Sequence, residues 1–205
     1  MTSGRELTVA TSETYSDNYL TAVLQSEGIV VRRGPLDDVL KRFVIATSDM
    51  REEDYCVRLT ADNPFPDGAF VDNLVERFQA STEDYMSANE IFPGRLPIGL
   101  SAEIFLVGSL READSLASAP SDREHVTPYM REHLNSGVSG KDLGANFQHV
   151  TVQNAADTFR CTIDTLEDYL RIANFFHSVQ EPIEQSWLQL LNDFRLCTSE
   201  EAHDP

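Results

Sequence analysis

The sequence predicts an α/β fold organised around a mainly parallel sheet. Short β-branched runs alternate with amphipathic helical stretches from residue 7 to residue 78, and each run ends in a polar or glycine-containing turn before the next helix begins. That alternation is the pattern of repeated βαβ units.

Residues 7–10 form an apolar, β-branched run ending in Thr11-Ser12, and a helical pattern follows through Tyr19, Leu20, Val23 and Leu24. Gly28 closes that helix, and 29–31 give a second strand that ends at Arg32-Arg33-Gly34-Pro35. Asp37 is placed to cap the next helix, which carries Val39, Leu40, Phe43, Val44 and Ala46 on one face. Residues 55–59 make a third strand, stopped by Thr60-Ala61-Asp62-Asn63-Pro64, and 68–78 make another helix. Further on, 85–91 and 100–105 read as strands around a turn at 93–97, with Glu103 inside the second. A helix is expected around 110–116, a helical or turn segment at 123–129, a loop at 137–144, and strands at 147–152 and 159–163. Thr165 caps a helix over 166–176 with Glu167 and Asp168 in its first turn. Ile183, Trp187, Leu190, Leu191 and Phe194 stripe a final helix, whose apolar face packs either within the domain or across an interface.

With 205 residues, 41% hydrophobic and 24% charged, the chain is long enough for one sizeable core, so a single domain is expected over 1–196, followed by a disordered acidic tail over 197–205. There is neither a run of about eighteen apolar residues nor a signal-peptide pattern at the start, which points to a cytoplasmic protein without a membrane partner. Cys56, Cys161 and Cys197 are too few and too scattered for a disulfide framework or a paired-ligand zinc site. A net charge of -18 with no basic run excludes a nucleic-acid backbone as partner. Only Lys41 and Lys141 are lysines, so the positive charge is nearly all arginine, which suits fixed contacts to phosphate or carboxylate.

Two aspartates draw attention by position. Asp62 follows a strand at what should be the carboxyl edge of the sheet, where open α/β sheets bind ligands. Asp164 follows another expected strand, at the start of a helix whose N–H groups favour an anion nearby. Converging carboxylates of this kind suit magnesium, which takes a few carboxylates plus substrate phosphate oxygens. Spacing alone leaves two other roles open: an Asx turn for Asp62 and a helix N-cap for Asp164.

Six separated motifs carry a resemblance. They are Val9-Ala10-Thr11-Ser12; the stretch from Arg33-Gly34-Pro35 through Asp37-Asp38-Val39-Leu40 to Arg42-Phe43; Arg58-Leu59-Thr60-Ala61-Asp62-Asn63-Pro64; Gly99-Leu100-Ser101-Ala102-Glu103-Ile104-Phe105; Asp122-Arg123-Glu124-His125-Val126-Thr127-Pro128-Tyr129; and Thr162-Ile163-Asp164-Thr165-Leu166-Glu167-Asp168. In this order, over about residues 6 to 176, they resemble the spore-coat-polysaccharide-type cytidylyltransferases, in the broad family that activates acylneuraminates and 3-deoxy-manno-octulosonate. The resemblance implies a Rossmann-like three-layer sandwich of the nucleotide-diphospho-sugar transferase type. It also implies a reaction in which an oxygen of an acidic sugar attacks the α-phosphate of CTP, with Mg2+ neutralising the triphosphate.

On this resemblance Asp62 and Asp164 are the catalytic metal carboxylates, Thr11, Ser12, Arg33 and Arg42 lie on the nucleotide side, and Glu103, Arg123, Glu124 and His125 lie on the sugar side. Other roles stay open for three of these: a solvated helix residue for Arg42, a structural histidine for His125 and an outward strand residue for Glu103. Ser101 stands where the family often has aspartate, and Leu166 where it often has proline. Family members also carry, upstream of the segment matching 6–12, a central strand and a triphosphate-cradling loop. As written, the chain is therefore expected to lack that loop and to be impaired. A late start codon, a partner chain or homodimer supplying the strand, and a decayed enzyme are three explanations. The competing function is a non-catalytic partner or pseudoenzyme subunit that uses the same fold for binding. A glycosyltransferase is disfavoured by the lack of an Asp-any-Asp element.

Overall fold

The computed structural model describes residues 6–88, 96–134 and 160–201. In chain order the elements are β1 (Thr8–Ser12), α1 (Asn18–Ser26), β2 (Val30–Gly34), α2 (Val39–Ala46), β3 (Tyr55–Arg58), α3 (Gly68–Gln79) and β4 (Tyr85–Ser87). They continue with β5 (Glu103–Leu106), α4 (Val107–Leu116), α5 (Pro120–His125), α6 (Pro128–His133), α7 (Leu166–Ser178) and α8 (Trp187–Glu201). The chain divides into two compact units: the described parts of Met1–Cys56 with Phe105–Ser136, and those of Val57–Ile104 with Gly137–Pro205. The boundaries fall inside β3 and β5.

In the first unit β1 and β2 pair in parallel, from Thr8 opposite Val30 to Ser12 opposite Gly34, as a βαβ connection requires. The ladder brings the carboxyl ends of both strands together, so Thr11 lies opposite Arg33 at the edge where α/β sheets bind ligands. Between them α1 stops at Gly28 as the sequence indicates, with the Ile29 N–H donating to the Leu24 carbonyl at 3.0 Å. Its apolar stripe is uncovered among the described residues: Tyr19 is 81% exposed, and Leu20 and Val23 are exposed as well. On its other edge β1 has no strand beside it among the described residues.

The cap of α2 is Asp38, not Asp37. The helix starts at Val39, so residue 38 is the one whose carboxylate reaches forward three positions, accepting from the Lys41 N–H at 2.9 Å. α4 starts at Val107, three residues before Leu110, because its first N–H groups find acceptors far away in sequence. Val107 donates to the Asp54 carbonyl at 2.8 Å and Gly108 to the Glu52 carbonyl at 3.0 Å. Leu40, Phe105, Val107, Leu110, Val126 and Met130 are fully buried.

The second unit contains β4, placed in a sheet of order β3-β5-β4. β5 begins at Glu103, later than the residue 100 expected, because Pro97 to Leu100 close a turn through the Leu100 N–H and the Pro97 carbonyl at 3.0 Å. β4 covers only the first part of the expected 85–91 strand; 89–95, the loop at 137–144 and the strand at 147–152 lie outside the described residues. Of the strand expected over 159–163, Phe159 lies outside the described residues, and the rest makes a single parallel bridge, Arg160 with Ile98. The aromatic core is dense: the Phe65 ring lies 5.2 Å from Phe194, 5.4 Å from Phe176 and 6.2 Å from Phe175 between centroids. Asp67 joins two helix starts, with Oδ1 accepting from the Phe70 N–H at 2.8 Å and Oδ2 from the Trp187 N–H at 3.0 Å.

Thr165 and Asp168 form the reciprocal capping box of α7. In α8 the face of Trp187, Leu190, Leu191 and Phe194 is buried, with Trp187 edge-to-face on Phe70 at 5.2 Å. Ile183 is not part of that stripe; it is 95% exposed in a separate 3-10 turn over Pro182–Glu184. The helix runs on to Glu201, past the point where a tail was expected to begin. No helix among the described residues is long and apolar enough to cross a membrane.

Candidate functional site

The candidate residues divide between the two units, and each group has its own geometry. In the second unit, three segments are tied together around Asp62 and Asp164. The Ile163 N–H donates to the Asp62 carbonyl at 2.9 Å, so Asp164 is the next residue after a direct backbone contact with Asp62. Asn63 Nδ2 donates to Thr60 Oγ1 at 2.8 Å and to Ser101 Oγ at 3.1 Å. The Cys161 N–H donates to the Ile98 carbonyl at 2.7 Å. Gly99 makes this approach possible: a Cβ there would sit 2.5 Å from the Thr162 nitrogen, and its φ of 98° is one that side-chain-bearing residues rarely adopt. Burial pushes the Cys161 thiol up to about 12, so the cysteine in this segment is an inert core residue.

Neither open alternative describes these two aspartates. The turn at Asp62 is closed by the Asn63 N–H and the Thr60 carbonyl at 3.1 Å. An Asx turn would need an N–H two residues on, where Pro64 has none. Asp62 Oδ1 is instead buried with no hydrogen-bond partner, which is costly for a carboxylate unless a cation or donor arrives. The N-cap of α7 is Thr165, and Asp164 Oδ2 pairs with Arg160 Nη2 and accepts from Thr162 Oγ1 at 3.0 Å. Among the described residues no three His, Cys, Asp or Glu side chains are grouped to hold a metal.

Glu103, also in this unit, is neither outward nor accessible. Its carboxylate accepts from Arg58 Nη1 at 2.5 Å and from Tyr85 Oη at 2.7 Å, with the Glu103 and Arg58 side chains 12% and 18% exposed. Such a buried, doubly hydrogen-bonded ion pair organises the strands it joins.

In the first unit, Thr11, Ser12 and Arg33 meet at the carboxyl ends of β1 and β2 and are held by a residue the sequence did not single out. Asp17 Oδ2 accepts from Thr11 Oγ1 at 2.7 Å, Ser12 Oγ at 2.6 Å and the Ser12 N–H at 3.0 Å. Arg33 spends its guanidinium on the same loop, donating to the Ser12 and Thr14 carbonyls and to Asn18 Oδ1, each at 2.8 Å. The loop after β1 is thus preorganised, and the two hydroxyls already have an acceptor.

The hydrogen bond from the Ser12 hydroxyl, helped by Thr11 and the Ser12 N–H, holds the Asp17 carboxyl well below the usual carboxylate range. A carboxyl depressed on folding adds stability that is complete above its unfolded value, about 4, and is lost as pH falls through the lower folded value. Asp17→Asn is therefore expected to lower Tm at pH 7, with the gap to wild type closing steadily below about pH 4. Thermal melts across pH 2 to 7 check this, and a gap that does not change with pH counts against it.

Arg42, on α2, lies across the end of β2. A Cβ on Gly34 would come within 3.0 Å of Arg42 Cγ and 2.9 Å of Ile45 Cδ1, so both side chains pack closely over this glycine. Arg42 Nε is buried without a hydrogen-bond partner, so the residue is not merely a solvated helix side chain. Arg123 is an anchor: Nε and Nη2 grip Asp38 at 3.0 and 2.6 Å, and Nη2 also meets Asp114 Oδ1 at 2.7 Å, an oxygen pair that Lys41 completes at 2.8 Å. Asp38 holds the Arg123 guanidinium firmly charged. Glu124 and His125 are exposed on the same helix. The corner after them is strained, because buried, β-branched Val126 has φ 72° and the Thr127 N–H donates back to the His125 carbonyl at 2.8 Å.

Asp17, Asn18, Tyr85, Asp114 and Arg160 carry polar contacts in these networks without standing out in the sequence. Only Asp17 left a local signal, an acid five residues beyond a Thr-Ser pair at a strand end.

A family model described as cytidylyltransferase matches residues 2–193. An uncharacterized protein of Methanocaldococcus jannaschii is 32% identical over 183 residues, covering 88% of this chain and 70% of that protein. The spore coat polysaccharide biosynthesis protein SpsF of Bacillus subtilis is 28% identical over 186 residues, covering 90% of this chain and 72% of its own length. In fold, the chain is similar to the structure of a cytidylyltransferase from Leptospira borgpetersenii, with TM-score 0.77 and 24% identity over 97% of this chain and 79% of that one.

Proposed function

This chain belongs to the cytidylyltransferase family, and on that premise we propose that it joins CMP from CTP to an acidic sugar, releasing pyrophosphate, in the assembly of a surface polysaccharide or glycan. The observation that carries the reading is Asp62 Oδ1, buried and unsatisfied, in a turn whose main chain accepts a hydrogen bond from Ile163, the residue before Asp164. An orphaned carboxylate oxygen in a turn tied to the segment that carries a second carboxylate fits a hard dication such as magnesium. That ion would supply charge neutralisation on the triphosphate.

In the reaction a sugar hydroxyl oxygen forms a bond to the α-phosphorus, the bond from that phosphorus to the pyrophosphate oxygen breaks, and the hydroxyl proton passes to solvent or a base. Asp62 and Asp164 would hold the cation, and the Asn63, Thr60 and Ser101 bonds keep the Asp62 turn in place. Within the first unit Arg42 is the nucleotide-side candidate with a spare donor, while Asp17 and Arg33 fix the loop carrying Thr11 and Ser12. Glu124 and His125 are the accessible sugar-side candidates, on a helix anchored by Arg123.

The test is pyrophosphate release from CTP, ATP, GTP or UTP with Mg2+ and a panel of sugar acids, including N-acetylneuraminate and 3-deoxy-manno-octulosonate. Release with CTP and one acid supports the proposal. No release with any nucleotide, together with a thermal shift on adding a CMP-sugar, supports the binding-subunit reading instead.

A further inference from the structure

Asp62 and Asp164 are not equally available. Asp62 Oδ1 has no partner, whereas Asp164 Oδ2 is held by Arg160 and by Thr162. We propose that Arg160 is a tethered cation that competes with the divalent ion for Asp164, an inference that rests on the reading of the two aspartates as metal ligands.

The main chain of Arg160 is fixed, and its side chain reaches Asp164 through half-exposed ground. Its backbone bridges Ile98, the following N–H donates to the Ile98 carbonyl at 2.7 Å, and its own carbonyl accepts from Arg171 Nη2 at 3.1 Å. The Arg160 and Asp164 side chains are each 45% exposed. A guanidinium on so short a tether stays near the carboxylate at high local concentration. Exposure to water means that it leaves with little desolvation penalty.

With Arg160 in place, one of the two carboxylates is neutralised, and the Coulomb attraction of the pair for a dication is correspondingly weaker. Arg171, the other arginine here, does not share this role: its Nη2 pairs with Asp168 Oδ1 at 3.1 Å, and its guanidinium stacks 5.5 Å from the Phe194 ring centre. The site thus has one ready ligand and one guarded ligand. Metal binding to the protein alone is weakened, and delivery of the metal together with its polyphosphate is favoured.

The experiment is Mn2+ binding to the full chain without nucleotide, read by the loss of the free-ion EPR signal. Arg160→Gln is expected to tighten binding by about two- to five-fold, the range set by a half-exposed ion pair. Arg160→Lys, which keeps the charge but loses the planar fork, should fall between the two. In an Asp164→Asn background the Arg160→Gln gain should disappear. Unchanged or weaker binding in Arg160→Gln overturns the inference, as does an equal gain in the Asp164→Asn background, which would mark a diffuse charge effect. Failure of the underlying metal reading has a different signature: wild-type Mn2+ binding that survives both Asp62→Asn and Asp164→Asn.

Discussion

Asp62→Asn is expected to reduce metal-dependent pyrophosphate release by about 10²–10³-fold while leaving the fold as stable as the wild type, or more stable by up to about 1 kcal/mol. The two effects have one cause. Asp62 Oδ1 is buried with no hydrogen-bond partner, so in the absence of a cation the carboxylate is a cost to folding. The Thr60 to Asn63 turn is closed by the backbone and by Asn63, without help from the Asp62 side chain. Replacing the carboxylate by an amide of the same shape removes the buried charge and leaves the turn intact. A residue retained for structure shows the opposite, a fall in Tm that tracks the fall in activity. Steady-state release with CTP and Mg2+, paired with a urea melt of both proteins, distinguishes the two. A marked drop in the urea midpoint of Asp62→Asn would make Asp62 a structural residue and remove the main support for the metal site.

The parts of this fold that were legible in the sequence are those fixed by neighbours. The strand-helix alternation through residue 78, the stop at Gly28 and the Thr165 cap each depend on residues within one or two turns of each other. The choice of Asp38 over Asp37 was not legible, because adjacent carboxylates differ only in where the helix begins. Long-range hydrogen bonds were equally hidden. The starting point of α4 is set by carbonyls of Glu52 and Asp54, and Arg123 is claimed by Asp38, 85 residues away. Neither leaves a periodic trace.

The same distinction applies to the candidate site. That Thr11 and Ser12 end a strand, that Asp62 sits in a turn and that Asp164 precedes a helix could be read from neighbouring residues. What surrounds each side chain could not. Arg33 and Arg123 are short of spare donors because the fold uses them, whereas Arg42 keeps a buried, unsatisfied Nε. In sequence all three are arginines in family motifs.

Glu103 is where the structural and sugar-contact readings separate most sharply. Its carboxylate receives Arg58 and Tyr85 in a site where the ion pair is mostly out of water. Removing one member of such a pair leaves a buried charge uncompensated, a loss of about 3–5 kcal/mol. Glu103→Leu is therefore expected to lose a large fraction of a typical domain's stability, and Arg58→Met to lose a comparable amount. The double variant Glu103→Leu with Arg58→Met should recover most of it, because an apolar pair of similar volume avoids the desolvation cost of both ions. Urea melts of the four proteins form a double-mutant cycle whose coupling term measures the pair directly. Glu103→Gln adds the functional arm: it keeps the hydrogen-bonding shape and removes the charge. If Glu103 acts through the strands it joins, Glu103→Gln lowers the urea midpoint and leaves the KM for the sugar acid unchanged. A raised KM for the sugar acid at wild-type stability would instead place this carboxylate on the substrate.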